Sequence, residues 1–269
     1  MVKKYVYGNP FETEAVVADI QIETGVPDYG KVLAEKEFCY TYILGDKDRI
    51  YGLGENVRGI NKRGFEYISN CADQPRHYED TKSLYGAHNF LVVDGDATFG
   101  LFFDYPSSMT FDVAYRTKDK LVITCDRSDL SLYVITGEDV LDIVKQFRKI
   151  IGRSYIPPKF AFGYGQSRWG YKTKDDFRKV VNEHRKKHIP LDMVYMDIDY
   201  MDDFKDFTLH KDEFKDFPEF VEEMKAQNIH LVPIIDAGVK IEKGYDIYEE
   251  GVKNNYFCKR EDGSEFVAT

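Results

Sequence analysis

The fold is decided by residues 161–199, where AFGYGQSRWGY (161–171) and LDMVYMDID (191–199) flank a helix-like run. That run begins with Thr173, three residues before Asp176 in the pattern of a capping box, and repeats apolar residues at helical spacing. LDMVYMDID is apolar until its last residues, as in a buried strand. A strand, helix, strand unit with short connections predicts parallel strands and a right-handed crossover. Ligands bind at the carboxyl ends of such strands, so polar residues there are the first candidates for a site.

The same alternation continues to the end of the sequence. A strand is predicted over 160–167, a second over 192–199, a helix over 218–227, and a third strand over 230–238 that ends in Asp236. Three such steps predict the start of a (β/α)8 TIM barrel. A complete barrel needs about 250 residues, and residues 159–269 supply less than half of that. We therefore expect the barrel to be incomplete in this chain.

The N-terminal half has a different pattern, in which short runs of alternating apolar and polar residues are separated by turn residues. Many strands at this spacing without helices predict an antiparallel β-sandwich over residues 1–134. The predicted strands are Ala15 to Thr24, Lys36 to Leu44, Phe65 to Ser69, Asn89 to Val93, Thr98 to Asp104, Thr110 to Tyr115 and Lys120 to Cys125.

A helix is predicted between these two regions, over Thr136 to Arg153, with Thr136 and Asp139 as its capping box. Pro157 and Pro158 then mark a seam between domains. The predicted organisation is a sandwich at 1–134, a connecting helix and linker at 135–158, and part of a catalytic barrel at 159–269. The fold class is therefore multi-domain, with both α and β elements.

One polar segment, Asn70 to Gly86, contains no predicted strand or helix. It exceeds the roughly 12–15 residues at which structureless loops become uncommon, and such loops are usually functional or disordered. Its aromatic and proline residues favour an ordered, functional loop.

Composition narrows the classes of function. The chain is 43% hydrophobic, which supports a packed core, and its net charge of −10 argues against nucleic acid or an anionic membrane as partners. The four cysteines, Cys39, Cys71, Cys125 and Cys258, form no C-x-x-C pair, so free thiols in a reducing compartment are expected. With no apolar leader or membrane-length apolar window, we predict a cytoplasmic protein.

QSRWGY at 166–171, followed by DID at 197–199, resembles the first barrel strands of glycoside hydrolase family 31, the α-glucosidase, α-xylosidase and sucrase-isomaltase group. YGLGE at 51–55 and FGLFFDYP at 99–106 resemble segments of the family's N-terminal domain. In the family, a loop of that domain contributes an aspartate to the sugar site ahead of a Tyr-Gly-x-His stretch. Asp73, followed by YGAH at 85–88, matches this arrangement.

The resemblance also implies sugar-binding roles for residues of the barrel. Asp197 would accept hydrogen bonds from sugar hydroxyls, Trp169 would form a wall of the subsite, and Ile198 and Ile234 would place apolar side chains against the sugar. Asp236 lies where the family often has Asp-Pro, and without that proline a structural hydrogen bond is as good an interpretation as a sugar contact. The aliphatic Ile198 favours glucosides over xylosides.

The residues themselves leave other interpretations of the acidic cluster open. In an extended strand Asp197 and Asp199 would point to the same side, where they could act as acid and base or chelate a metal. Asp197 could equally cap a loop or pair with a lysine. For Asp202, Asp203 and Asp206 we favour a solvated loop face.

The family hydrolyses α-glycosides with retention, using an aspartate nucleophile in a W-x-D motif and a second carboxylate further on. Trp169 is the sole tryptophan, so no W-x-D is present and neither catalytic residue maps onto this chain. The resemblance thus predicts the N-terminal portion of a retaining α-glucosidase, inactive alone, without a cofactor or metal. Alternatives are a non-catalytic carbohydrate-binding module, an α-xylosidase, and a metal-dependent enzyme using Asp197 and Asp199.

The expected partners follow from this prediction. They are α-glucoside oligosaccharides and the remaining, C-terminal part of the barrel, while homo-oligomerisation is left open. A barrel with three strands exposes a sheet edge and apolar interior, so partners or aggregation are expected.

Overall fold

The computed structural model describes residues 1–236 and 238–268. They form two compact units, Met1–Ser154 and Tyr155–Thr269. Within the described residues, every helix is too short or too polar to span a bilayer.

The first unit is an antiparallel β-sandwich, as predicted. In this fully described unit the strands are β1 (Val2–Tyr7), β2 (Lys31–Ala34), β3 (Phe38–Ile43), β4 (Arg49–Gly54), β5 (Phe65–Ser69), β6 (Ala87–Asp94), β7 (Phe99–Asp104), β8 (Met109–Val113), β9 (Lys120–Cys125) and β10 (Leu130–Thr136). One five-stranded sheet has the order β1-β10-β7-β6-β4, and the other has the order β2-β3-β9-β8-β5.

The sandwich has a core on each side of its first sheet. Between the sheets, Phe103 is fully buried and forms edge-to-face contacts with Phe38 and Phe111. Helix α1 (Val140–Ile151) covers the other face, where Phe147 stacks on Phe90 with ring centroids 3.8 Å apart. Both faces of this sheet are therefore shielded from water, which is the main favourable contribution to the stability of the unit.

Two predictions for this unit are wrong. Residues 15–24 are not a strand, because Val17 N–H and Ala18 N–H donate to Ile150 O at the end of α1 (2.9 and 3.3 Å) instead of to a neighbouring strand. The capping residue of α1 is Asp139, which accepts from Asp142 N–H at 2.7 Å. Thr136 is excluded from that role because it belongs to β10.

The second unit begins a parallel sheet, as predicted. The elements are a 3-10 turn (Lys159–Phe162), β11 (Gly165–Gln166), α2 (Lys174–Lys186), β12 (Met193–Met196), a second 3-10 turn (Ile198–Tyr200), α3 (Phe217–Ala226), β13 (His230–Pro233) and α4 (Asp246–Asn254). Within the described residues the three strands have the order β11-β12-β13, and both pairings are parallel.

Helix α2 confirms its sequence signature. Thr173 Oγ1 accepts from Asp176 N–H, and the Asp176 carboxylate accepts from Thr173 N–H, which completes the capping box. Phe177 and Val181 are buried on its inner face, in a cluster that includes Val194 of β12 and Phe220 of α3.

The strands of the second unit are shorter than predicted. The segment predicted as a strand over 160–167 opens with a 3-10 turn, and only Gly165–Gln166 pairs with β12. The strand predicted over 192–199 ends at Met196, because the next residues turn into the second 3-10 turn. The strand predicted over 230–238 is confirmed only for His230–Pro233, and its residue 237 lies outside the described residues.

Candidate functional site

Asp197 lies directly after β12, at the carboxyl end of the parallel sheet. Its Oδ1 accepts from Ile198 N–H at 2.8 Å, and its carbonyl accepts from Tyr200 N–H at 3.2 Å. These bonds cap the 3-10 turn and end the strand. Among the described residues, Ile198 N–H is the only hydrogen-bond donor to the Asp197 carboxylate, so Oδ2 remains available to a ligand.

The end of β13 lies beside the end of β12. Ile234 N–H donates to Met196 O at 2.9 Å, and Tyr200 OH donates to Ile234 O at 2.8 Å. Tyr200 thereby ties the turn after β12 to the backbone after β13. The structure thus brings Asp197 and Ile234 together at the carboxyl end of the sheet, where Ile234 is 40% exposed. Ile198 also lies at this end, but it packs against the buried cluster that includes Phe177.

Asp236 and Trp169 are both exposed at the ends of flanking segments. Asp236 follows β13 with a φ of 51°, a left-handed conformation that aspartate adopts more readily than most residues. Trp169 follows β11, the other neighbour of β12, and its side chain is 72% exposed. Gly170, at φ 106°, turns the chain immediately after it.

Asp199 does not share the environment of Asp197, and the extended geometry assumed for the pair is wrong. Residues 198–200 form a turn, so the alternation of a strand does not apply to them. The Asp199 side chain is 10% exposed, with Oδ1 3.9 Å from Lys172 Nζ and Oδ2 buried without a hydrogen-bond partner.

A cavity of about 550 Å³ opens beside Asp199 and the start of α2. No sequence pattern predicts this cavity, because most of its walls come from the loop after the second 3-10 turn, which has no periodic pattern. The residues around it are Lys172, Thr173, Asp199, Met201, Asp202, Asp203, Phe204, His210 and Glu213.

The predicted solvated face of Asp202, Asp203 and Asp206 is wrong for Asp206. Asp206 is 2% exposed, and burial raises the pKa of its carboxyl group. Asp203 instead pairs with Lys240, whose hydrogen bond lowers the pKa of the Asp203 carboxyl group. Asp202 is part-buried beside Lys205 Nζ at 3.5 Å, so this loop is organised by ion pairs.

These carboxylates do not converge as metal ligands do. Across residues 1–236 and 238–268, the structure contains no group of three or more His, Cys, Asp or Glu side chains that could hold a metal ion. The geometry gives the metal-dependent alternative for Asp197 and Asp199 no support.

Asp73, the remaining predicted site residue, belongs to the first unit. It is exposed within the loop over 70–86, where its Oδ1 accepts from Tyr85 OH at 3.0 Å. The loop is ordered by bonds at its base, including Ala72 N–H to Leu84 O at 2.8 Å and Ile68 N–H to Lys82 O at 3.0 Å.

Comparison with protein families matches both units. Residues 154–269 match the glycosyl hydrolases family 31 TIM-barrel domain. Residues 28–112 match the glycosyl hydrolase 31 N-terminal galactose mutarotase-like domain. The chain belongs to glycoside hydrolase family 31.

The relatives within glycoside hydrolase family 31 include α-glucosidases. Alpha-glucosidase 2 of Bacillus thermoamyloliquefaciens is 34% identical over 230 residues, which cover 85% of this chain and 29% of the relative. The alpha-glucosidase of Saccharolobus solfataricus is 30% identical over 246 residues, covering 91% and 34% respectively. The chain therefore spans about a third of the length of these relatives.

Solved structures of the family share the fold. A dextranase of Flavobacterium johnsoniae, complexed with isomaltotriose, superposes with a TM-score of 0.77 at 22% identity, over 88% of this chain and 31% of that one. A glucosidase II alpha subunit gives a TM-score of 0.76 at 23% identity, over 88% and 28%. At this identity the likeness establishes the family's architecture.

Proposed function

We propose that this chain supplies the N-terminal sandwich and the first barrel strands of a retaining α-glucosidase. In this proposal the complete enzyme hydrolyses terminal α-linked glucose from oligosaccharides, and Asp73, Trp169, Asp197, Ile198, Ile234 and Asp236 form part of its sugar-binding subsite. The α-glucosidases among its relatives support this substrate class.

The observation that carries the proposal is the junction between the ends of β12 and β13. There the Asp197 carboxylate, with Oδ2 free, and the exposed Ile234 follow neighbouring parallel strands, at the carboxyl ends where such sheets bind ligands, which supports the proposal. A carboxylate accepts hydrogen bonds from sugar hydroxyls, while aliphatic and indole surfaces pack against the carbon-bound hydrogens of the ring.

This chain contributes binding and orientation in the proposed mechanism. Retention requires a nucleophilic carboxylate and an acid/base carboxylate about 5–5.5 Å apart, and we assign neither role to Asp197 or Asp199. Both catalytic groups would come from later barrel strands. The isolated chain is therefore expected to bind sugar weakly and to leave it intact.

The proposed partner within the enzyme is the remainder of the barrel. Among the described residues, β11 and β13 each pair with β12 on one side only, so both offer unpaired backbone groups. Tyr164, Tyr195 and Ile235 are 49%, 37% and 51% exposed around this sheet. Further βα units would pair with these edges and bury these side chains.

The test is hydrolysis of p-nitrophenyl α-D-glucoside by this chain joined to, or reconstituted with, the remaining barrel. Asp197→Ala should reduce kcat/KM by at least about a hundredfold, since it removes a charged hydrogen-bonding group worth roughly 1.5–3 kcal/mol in the ground state and more in the transition state. Asp212→Ala, on an exposed turn of the same unit, is the matched control and should behave like the wild type. Full activity in Asp197→Ala would show that Asp197 is not part of the subsite.

The same assay separates the rival functions. Preferential cleavage of p-nitrophenyl α-D-xyloside would indicate an α-xylosidase. Saturable maltose binding by the chain that persists in Asp197→Ala, without hydrolysis by the completed protein, would indicate a carbohydrate-binding module in which the sandwich alone contacts sugar.

A further inference from the structure

The side chain of Glu55 holds the C-terminal end of the loop over 70–86 against the sandwich. Its Oε2 accepts both Tyr85 N–H and Gly86 N–H at 3.1 Å, and its own N–H donates to Gly86 O at 2.6 Å. A carboxylate oxygen that accepts hydrogen bonds from two adjacent backbone N–H groups fixes the backbone of the loop at that point.

The backbone of β4 delivers Glu55 to this position. The β4–β6 register shifts immediately before Glu55, since Gly52 pairs with Leu91 but Gly54 pairs with Ala87. Gly54 has a φ of 78°, and a Cβ there would lie 2.5 Å from Gly86 O, so only glycine fits.

Tyr85 then connects this anchor to Asp73. The Tyr85 hydroxyl donates to Asp73 Oδ1 at 3.0 Å, and the His77 ring lies edge-on to the Tyr85 ring with centroids 6.3 Å apart. Among the described residues no other group donates to the Asp73 carboxylate, so Oδ2 stays free while Oδ1 is held.

We propose that Glu55 and Tyr85 are positioning residues for Asp73, forming a relay in which Glu55 fixes the Tyr85 backbone and the Tyr85 hydroxyl orients the Asp73 carboxylate toward substrate. The inference rests on the proposed function, because it takes Asp73 as a sugar contact. Tyr85 and Glu55 act through Asp73 and do not touch the sugar.

The relay explains why an exposed loop could hold a carboxylate in one orientation. An exposed aspartate normally samples several rotamers, and fixing it before the sugar arrives removes that entropic cost from binding. The direction of the Tyr85 pKa agrees: its hydrogen bond to Asp73 raises the pKa of the phenol, with smaller electrostatic contributions from Asp73 and Glu55.

The first experiment is a double-mutant cycle in the completed enzyme with p-nitrophenyl α-D-glucoside. Asp73→Asn should raise KM, and Tyr85→Phe should raise KM about threefold to tenfold, the equivalent of one lost hydrogen bond. In the Asp73→Asn background Tyr85→Phe should add nothing. Tyr78→Phe, on a 60% exposed tyrosine of the same loop, is the matched control and should leave KM unchanged.

Glu55 provides a conservative rescue. Glu55→Ala should raise KM to the level of Tyr85→Phe, whereas Glu55→Gln, whose amide oxygen still accepts the two backbone N–H groups, should stay near the wild type. An equal rise in KM in Glu55→Ala and in Glu55→Gln would overturn the anchoring role of Glu55.

The remaining outcomes separate this inference from the proposed function. If Asp73→Asn raises KM and Tyr85→Phe does not, the relay is overturned and the subsite stands. If the two effects add in the double mutant, Tyr85 contacts the sugar itself and the relay is overturned. If neither substitution changes KM, Asp73 is not part of the proposed subsite, and the relay is overturned as well.

A second readout needs no catalysis. In the chain labelled with ζ-13C tyrosine, the Tyr85 resonance, assigned from Tyr85→Phe, should titrate at lower pH in Asp73→Asn than in the wild type, with His77 and Glu55 still present beside it. An unchanged Tyr85 titration would show that the hydroxyl does not donate to Asp73, which overturns the relay.

Discussion

The two units of the chain bury their sheets differently. In the sandwich, β10 is buried at every residue except Thr136, because the second sheet covers one face and α1 covers the other. In the parallel sheet, Tyr195 of β12 is 37% exposed, and no residue of β13 is fully buried.

Because of this difference, the unit that contributes most of the stability is not the unit that carries the candidate sugar contacts of the barrel. The sandwich provides the larger buried apolar core, which is the dominant source of folding free energy. The candidate sugar contacts of the barrel, including Trp169 and Ile234, lie on the less buried unit, where side chains remain open to a ligand.

The largest expected effect is a core truncation in the sandwich. Phe103→Ala should lower the free energy of unfolding of the first unit by about 3–5 kcal/mol, because Phe103 is fully buried among Phe38, Tyr40 and Phe111. Tyr195→Ala, in the parallel sheet, should cost less than about 1 kcal/mol. Hydrogen exchange under increasing urea, read separately for peptides of each unit, measures both, and equal losses would contradict the contrast.

The sandwich was predictable as a fold class but not strand by strand. Phe65–Ser69 and Lys120–Cys125 were placed correctly because their apolar residues alternate between turn signals. Strand β10 was missed because Leu130–Thr136 is covered on both faces, so the sequence is mostly apolar and shows no alternation. The segment at 15–24 alternates but pairs with the end of α1, a tertiary contact that periodicity does not encode.

The candidate site was predictable where a residue's position follows from strand order. Asp197 and Ile234 follow neighbouring parallel strands, so their proximity could be inferred. The turn at 198–200 and the burial of Asp206 could not, because both depend on which long-range partners the loop meets. The contact between Glu55 and Tyr85 joins residues thirty positions apart, next to a shift in the β4–β6 register, and no local pattern predicts it.

A buried carboxylate in the sandwich should give the second largest effect. The Glu66 side chain is 4% exposed and pairs with Lys82 Nζ at 2.7 Å and with Arg116. Glu66→Gln should lower the free energy of unfolding by about 1–3 kcal/mol at pH 7, because it leaves a neutral amide facing two cations.

The contribution of Glu66 should depend on pH. The hydrogen bond from Lys82 lowers the Glu66 pKa below its ordinary value of 4.5, so this stabilisation is present above pH 4.5 and lost as the pH falls through the lowered pKa. Urea unfolding at pH 7 and pH 3 checks this, and a variant that loses as much stability at pH 3 as at pH 7 would contradict it.

The smallest effect is expected for the corresponding ion pair of the second unit. Arg178 of α2 donates from Nε to Glu223 Oε1 at 2.8 Å and from Nη2 to Glu223 Oε2 at 2.7 Å, with both side chains 38% exposed. Because water and salt screen such a pair, Glu223→Gln should cost only about 0.5–1 kcal/mol at low salt and less at 0.5 M NaCl. The hydrogen bond from Arg178 lowers the Glu223 pKa, so the contribution is present above pH 4.5 and disappears in more acidic solution. Glu222→Gln, whose partner Lys225 lies 3.2 Å away on the same exposed helix face, is the control and should be neutral. Glu223→Gln could instead lower the free energy of unfolding of its unit as much as Glu66→Gln lowers that of the sandwich. A hydrogen-bonded carboxylate would then contribute the same stability whether buried or exposed, and the contrast in burial between the two units would not explain their stability.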